Sequence, residues 1–180
     1  MFQRVRIWKH AFLSSCEQIE GKPLKHQPVE LSGKGRIIFR NHVRLGVYPS
    51  PYFFTGSIYI EARNPYSIIE IDDGVWINNN AVMISEGNGI FIGKKTLIGL
   101  NVEIYDSDFH GVEPNKRSVS SAKMASVCIG ENVFIGSNVK ILKGVSIGNN
   151  SIIGAGSIVT QFIPSNVVAA GVPAKVIRQL

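Results

Sequence analysis

The sequence predicts an all-β chain wound into a parallel β-helix. Three observations carry this. From Ile129 to Thr160 an aliphatic residue returns every six positions, at Ile129, Ile135, Ile141, Ile147, Ile153 and Val159. Glycine follows it at Gly130, Gly136, Gly148 and Gly154, and a small or β-branched residue stands four places on, at Val133, Val139, Val145, Ser151 and Ser157. A period of six is neither the 3.6 of a helix nor the 2 of an alternating strand. A short fixed period marks a repeat architecture, and a hexapeptide period marks a parallel β-helix. Each hexapeptide supplies one flat side, and three make a triangular turn of roughly eighteen residues whose aliphatic column fills the axis. Glycine and Asn suit the bends because they tolerate positive φ.

Taken in order, residues 1–35 read as an N-terminal segment packing on the coil. Phe2, Val5, Ile7, Trp8, Phe12 and Leu13 alternate there with Arg4, Arg6 and Lys9, which suits a strand or short helix docked on the coil, with a peripheral membrane contact as the alternative. Gly21, Pro23, Pro28, Gly33 and Gly35 make the rest of this segment irregular. The coil is predicted over 36–164. Its first turn is degenerate, with Phe39 and Leu45 inward, and the aromatic stretch 47–66 fills a terminal turn or a subunit contact. The frame returns at Ile71 and Ile77, breaks at 85–89, and resumes at Ile92, Ile98 and Ile104. Residues near 109–127 carry Pro114, several serines and no apolar period, and read as a long external loop. Residues 165–180 form a C-terminal cap.

Charged residues are 18% of the chain and hydrophobic ones 44%, a globular composition for a single domain. The formal charge of +6 suggests an anionic partner. The Lys and Arg are scattered, with no basic run or RNA-binding motif, so nucleic acid is not expected. Cys16 and Cys128 are far apart and lack metal-ligand spacing, which supports neither zinc nor a disulfide framework. The N-terminus is too polar for a signal peptide and no stretch reaches about 18 apolar residues. A cytoplasmic protein is the expectation.

The most suggestive chemistry lies just ahead of the long loop, in DSDFHG, residues 106–111. A general base needs one ring nitrogen free to take a proton while the other donates to an oxygen that fixes the tautomer. His110 supplies the ring, and Asp106, Asp108 or a backbone carbonyl could supply the oxygen. The plain alternatives are a surface histidine and two turn-forming aspartates.

INNNAV, IGLNVEIYDSDFH, the external loop, the run from Ile129 to Thr160 and the ending IPSNVVAAGVPAKVIRQL together resemble the left-handed β-helix acyltransferases. The resemblance runs from about Ile68 to the C-terminus. It points to sugar O-acetyltransferases of the maltose, galactoside and nodulation-factor type and to acetyltransferases of polysaccharide clusters. It implies a left-handed coil, a homotrimer with sites between neighbouring subunits, and acetyl-CoA as co-substrate without a metal. His110 then matches the catalytic base, Asn78 the residue that positions the acceptor, and Ser137 the residue whose backbone N–H faces the thioester oxygen. Phe134 falls where relatives often have Trp beside the cofactor's reactive end. Ala155 and Thr160 match positions whose backbones hold the pantetheine arm, and Lys175 and Arg178 fall where basic residues approach the phosphates. Gln161 departs from the pattern, standing where a basic residue is frequent. Residues 1–35 do not resemble the helical leader of the maltose enzymes.

The resemblance implies an O-acetyltransferase acting on a sugar or glycan hydroxyl, in bacterial surface polysaccharide biosynthesis. Neither cysteine occupies a matching position for an acyl-enzyme. An amino-sugar or antibiotic N-acetyltransferase would use the same base. A structural β-helix would need neither the histidine nor the loop, and an ice-binding one would be rich in threonine, which is scarce here. A β-helix carbonic anhydrase needs three His around one metal, whereas three of the four His lie in the N-terminal third.

Overall fold

The structure, a computed structural model, describes residues 2–115, 117, 118 and 122–180. The chain winds as a left-handed β-helix of three sheets, with 6, 8 and 6 strands. Within the regular coils, residues one turn apart pair in parallel register. Ile129 lies on Ile147, Ile135 on Ile153 and Ile141 on Val159, each pair eighteen positions apart. The aliphatic frame points inward throughout: Ile71, Ile77, Ile104, Ile135, Ile141, Ile153 and Val159 are all 0% exposed. The residues four places on, including Val139, Ser151 and Ser157, are also buried and fill the corners.

The corners follow from backbone chemistry. Asn80, Asn101, Asn132, Asn138, Asn150 and Asn166 all adopt positive φ, a conformation in which Asn is among the least strained non-glycine residues. Their side chains form ladders along the axis. Asn80 donates to Asn101 and Asn101 to Asn138, at 2.7 and 3.1 Å. Asn132, Asn150 and Asn166 repeat the pattern, each bond 3.0 Å.

The coil begins earlier than expected. Gln18–Glu20, Leu24–Lys25 and Val29–Ser32, part of the segment read as irregular, pair with Arg36–Phe39, Arg44–Leu45 and Ile58–Ala62 to form the first rung. A helix over Phe2–Leu13 precedes it. The helix docks through its polar side: Gln3 and Arg6 donate to the carbonyls of His26, Phe53 and Gly56. Trp8 and Phe12 on the other side are exposed. At the far end, Val167–Gly171 joins the second sheet beside Ile152–Ile153, and Ala174–Gln179 folds back on it antiparallel.

Two excursions leave the coil at corners. The first, 47–57, carries Tyr48, Phe53 and Phe54, whose rings pack on one another at 5.0–6.0 Å. The second is the predicted loop near 109–127, of which residues 116 and 119–121 lie outside the described residues. Its two ends are joined by an antiparallel bridge between Ser107 and Met124. No helix among the described residues is long and apolar enough to cross a membrane.

Candidate active site

The second sheet presents an outward row in register: Arg44, Trp76, Leu97, Phe134, Ile152 and Val168. Trp76, Leu97 and Phe134 are 40–48% exposed. With Asn78 they border a hollow of ≈ 210 Å³. Asn78 follows the strand Trp76–Ile77, and its side-chain oxygen accepts from the Asn79 N–H at 2.7 Å. The corner that Asn78 opens is stacked with two others. Leu100 N–H donates to Ser137 Oγ at 3.3 Å, and Gly136 lies over Ala155. A Cβ on Gly136 would fall 2.6 Å from the Ala155 nitrogen, so this approach requires glycine. Ser137 N–H has no acceptor among the described residues of its own chain. The fold therefore gathers Asn78, Phe134, Ser137 and Ala155 along one edge of the second sheet. Lys175 and Arg178 lie exposed on the terminal hairpin of that same sheet.

His110 is elsewhere. It follows the third-sheet strand Glu103–Tyr105, at the corner leading toward the first sheet. The third sheet lies between this corner and the one holding Asn78, a side of about six residues or roughly 20 Å. Thr160, after Ile158–Val159, sits at the same corner class as His110. Within one chain His110 and Asn78 do not meet.

The imidazole of His110 is exposed and makes no hydrogen bond or ion pair among the described residues. The expectation that Asp106 or Asp108 orients it is not matched within the chain. Asp106 is 0% exposed and accepts from Ser85 Oγ at 2.7 Å and from the N–H groups of Glu86 and Gly89 at 2.7 and 2.9 Å, with longer bonds from Gly87. It organises the 85–89 turn. Asp108 instead pairs with Lys143 at 2.9 Å.

What braces the loop mouth is a network that sequence reading missed. Arg63 holds Glu61 through two hydrogen bonds of 2.9 and 3.0 Å, reaches Glu86 at 3.5 Å, and lies 5.1 Å from the Phe109 ring centroid. Ser107 Oγ donates to Glu86 at 2.6 Å and accepts from Phe109 N–H at 2.9 Å. Phe109 adopts positive φ, which turns the chain just before His110. The hydrogen bonds from Arg63 hold the Glu61 carboxyl below the usual carboxylate range. Burial, followed by the hydrogen bond to Glu103, pushes the Tyr105 phenol up to about 12. Two further residues escaped the reading. Asn79 anchors the 47–51 segment through the Val47 N–H and the Val47 and Pro51 carbonyls, while Gln27 bridges Tyr52 and Asn80. Only the run of three asparagines could have signalled Asn79. Among the described residues no three or more His, Cys, Asp or Glu side chains are grouped to hold a metal ion.

Residues 129–161 match the family described as bacterial transferase hexapeptide (six repeats). The chain is 36% identical over 194 residues to the galactoside O-acetyltransferase of Escherichia coli K12, an alignment covering 100% of this chain and 89% of that protein. Among solved structures it is similar to a hexapeptide-repeat acetyltransferase of Vibrio cholerae O1 biovar eltor complexed with acetyl coenzyme A. That match has 26% identity and a TM-score of 0.59, over 98% of this chain and 77% of the other. It is also similar to a galactoside acetyltransferase in complex with coenzyme A, at 32% identity and a TM-score of 0.53, over 91% and 65% of the two chains.

Proposed function

The chain belongs to the hexapeptide-repeat acetyltransferases, and from that premise we propose that it transfers the acetyl group of acetyl-CoA to a sugar or glycan hydroxyl, as a step in surface polysaccharide biosynthesis. The observation that carries the reading is the division of the site. Among the described residues, the Ser137 N–H beside Phe134 and Asn78 on one corner has no acceptor, and His110 on another has no partner. A second copy supplies what each copy lacks. The assembly is a homotrimer, in which His110 of one subunit meets Asn78 and Ser137 of the next, as closed cyclic symmetry allows.

In that site Asn78 positions the acceptor. His110 takes the hydroxyl proton as the acceptor oxygen bonds to the acetyl carbonyl carbon. The carbonyl π pair moves onto oxygen, where the Ser137 N–H receives the developing charge. Collapse breaks the carbon–sulfur bond, and the proton on His110 passes to the departing thiolate. No covalent acyl-enzyme is required. Phe134 packs against the thioester end, the backbones at Ala155 and Thr160 hold the pantetheine arm, and Lys175 and Arg178 approach the phosphates.

Mixing inactive variants tests this reading. His110→Ala and Asn78→Ala homo-oligomers are each deficient. Unfolded together and refolded, random trimers place an intact His110 against an intact Asn78 at about a quarter of the sites. Thiol release from acetyl-CoA with a sugar acceptor then recovers to about that fraction of the parent. No recovery, or light scattering that reports an active monomer, would sink the shared site.

A further inference from the structure

The second sheet carries charge only at its ends, and all of it is positive. Its strands contain Lys25 and Arg44 at the N-terminal end, Lys175 and Arg178 at the C-terminal end, and no Asp or Glu. The proposed reading assigns the C-terminal pair to the cofactor, whose reactive end stops at Phe134. The N-terminal pair is left without a role. The hollow at Asn78 continues in that direction into a second one of ≈ 360 Å³, bordered by His26, Gly46, Tyr48 and the shared Val47 and Trp76.

Arg44 is set apart from its neighbours. Arg36, Arg40 and Arg63 are each neutralised by a glutamate, Glu20, Glu70 and Glu61 respectively. Arg44 has no carboxylate partner among the described residues. Its guanidinium stands 4.7 Å from the Trp76 ring centroid, which orients the group without consuming its charge. Tyr48, 67% exposed, is held against Phe53 and Phe54. The hollow thus offers two positioned aromatic rings, Tyr48 and Trp76, and Arg44, which is not among its lining residues, sets one unspent cation on the Trp76 ring beside it. Flat rings stack on the C–H face of a sugar or on a base, and a guanidinium takes a phosphate or carboxylate in bidentate fashion.

We infer that Arg44, Trp76 and Tyr48 form an acceptor subsite that selects a sugar bearing an anionic group, phosphate or carboxylate, next to the ring that is acetylated. This rests on the acetyltransferase reading for the position of the reacting hydroxyl. Acetyl-CoA then lies along the sheet from its C-terminal end and the acceptor from its N-terminal end, each with its negative charge at a basic terminus and its reacting atoms meeting near Asn78 and Phe134.

The test compares methyl galactoside, UDP-galactose and an oligogalacturonide. Transfer is followed as thiol release from acetyl-CoA, and binding as isotherms without it, for the parent, Arg44→Gln, Arg44→Lys and Tyr48→Ala. The expected result is an anionic member favoured over methyl galactoside by at least tenfold in kcat/KM. In Arg44→Gln its KM rises roughly tenfold, the lower end for a lost hydrogen bond to a charged group, with kcat within about twofold and coenzyme A affinity unchanged. Arg44→Lys restores part of the preference, which a merely structural role would not require. A preference for UDP-galactose identifies a nucleotide-linked acceptor, and one for the oligogalacturonide an acidic glycan. Equal use of all three sugars, or a preference that survives Arg44→Gln, overturns the inference and leaves the transferase reading standing. Arg44-dependent binding of an anionic sugar without transfer does the reverse, and a panel that neither binds nor reacts overturns both.

Discussion

Substituting Asp106 separates two roles that the sequence left open. Its carboxylate is fully buried and holds the Ser85 hydroxyl and the N–H groups of Glu86 and Gly89 at 2.7–2.9 Å. Asp106→Ala strands those donors, two of them on the buried residues Ser85 and Gly89. A stranded buried donor costs about 1–3 kcal/mol. Two such donors, and part of a third on half-buried Glu86, cost about 4 kcal/mol. For a chain of this size that lowers Tm by roughly 8–16 °C, at about 2–4 °C per kcal/mol. Asp106→Asn keeps the shape and one acceptor oxygen, turns an amide toward a donor, and costs about half as much. The assay is a thermal melt by circular dichroism at fixed protein concentration, paired with kcat measured well below the variant's Tm. The expected outcome for Asp106→Asn is a Tm lower by about 4–8 °C with kcat within about threefold of the parent. The reasoning is refuted if Tm is unchanged while kcat falls a hundredfold or more, the signature of a residue that orients the base.

The opposite pattern is expected for His110→Ala. The side chain is exposed and supports little, so Tm stays within about 2 °C, while kcat falls by roughly 10²–10⁴-fold; more than about a tenth of parental kcat would place the base elsewhere. Lys175→Ala with Arg178→Ala should raise the Kd for coenzyme A, each exposed contact contributing about 1 kcal/mol or less, and added salt should blunt the difference; an unchanged Kd moves the phosphate site. Tyr105 gives a pH signature. Its folded pKa of about 12 lies above the ordinary phenol value of 10.0, so the folded state holds the proton more tightly. The associated stability is present below pH 10 and is lost as pH rises from there toward 12. Tyr105→Phe should remove part of the fall in Tm across that window, and an identical fall in both proteins would show that other groups cause it.

The coils from Ile129 to Thr160 were legible because each inward position meets the same demand, an aliphatic side chain on a column of others. The first rung was not. Gln18–Glu20 is exposed along its whole length, and Leu24 is exposed as well. A terminal rung has a neighbour on one side only, so its sequence carries little of the frame. The helix was ambiguous for a related reason: its docked side is Gln3 and Arg6, chosen to satisfy carbonyls rather than to bury apolar area. At the site, adjacency in sequence misled. Asp106 stands two residues from inward-pointing Ile104, and strand alternation sends its side chain into the coil, away from His110. Asn78, Ser137 and Phe134 carried local signals, but their gathering on one edge depends on stacking across rungs, which no local stretch encodes.

The pairing register also governs how the length of this molecule can change. Both excursions return the chain to the corner they left. Leu45 still pairs with Ile77 and Val29 with Ile58 around the first, and Ile92 pairs with Ile129 and Ile104 with Ile141 around the second. Corners therefore accept segments of arbitrary size. The flat sides do not. Six residues added within the run after Ile135 would advance everything downstream by one face, carrying the terminal hairpin with Lys175 and Arg178 off the sheet that holds Phe134. Only eighteen restores the phase, and it does so while pushing the two basic ends of that sheet one rung, about 5 Å, further apart. Length along the axis is quantised, and the span between the two ends of the groove changes with it in whole steps.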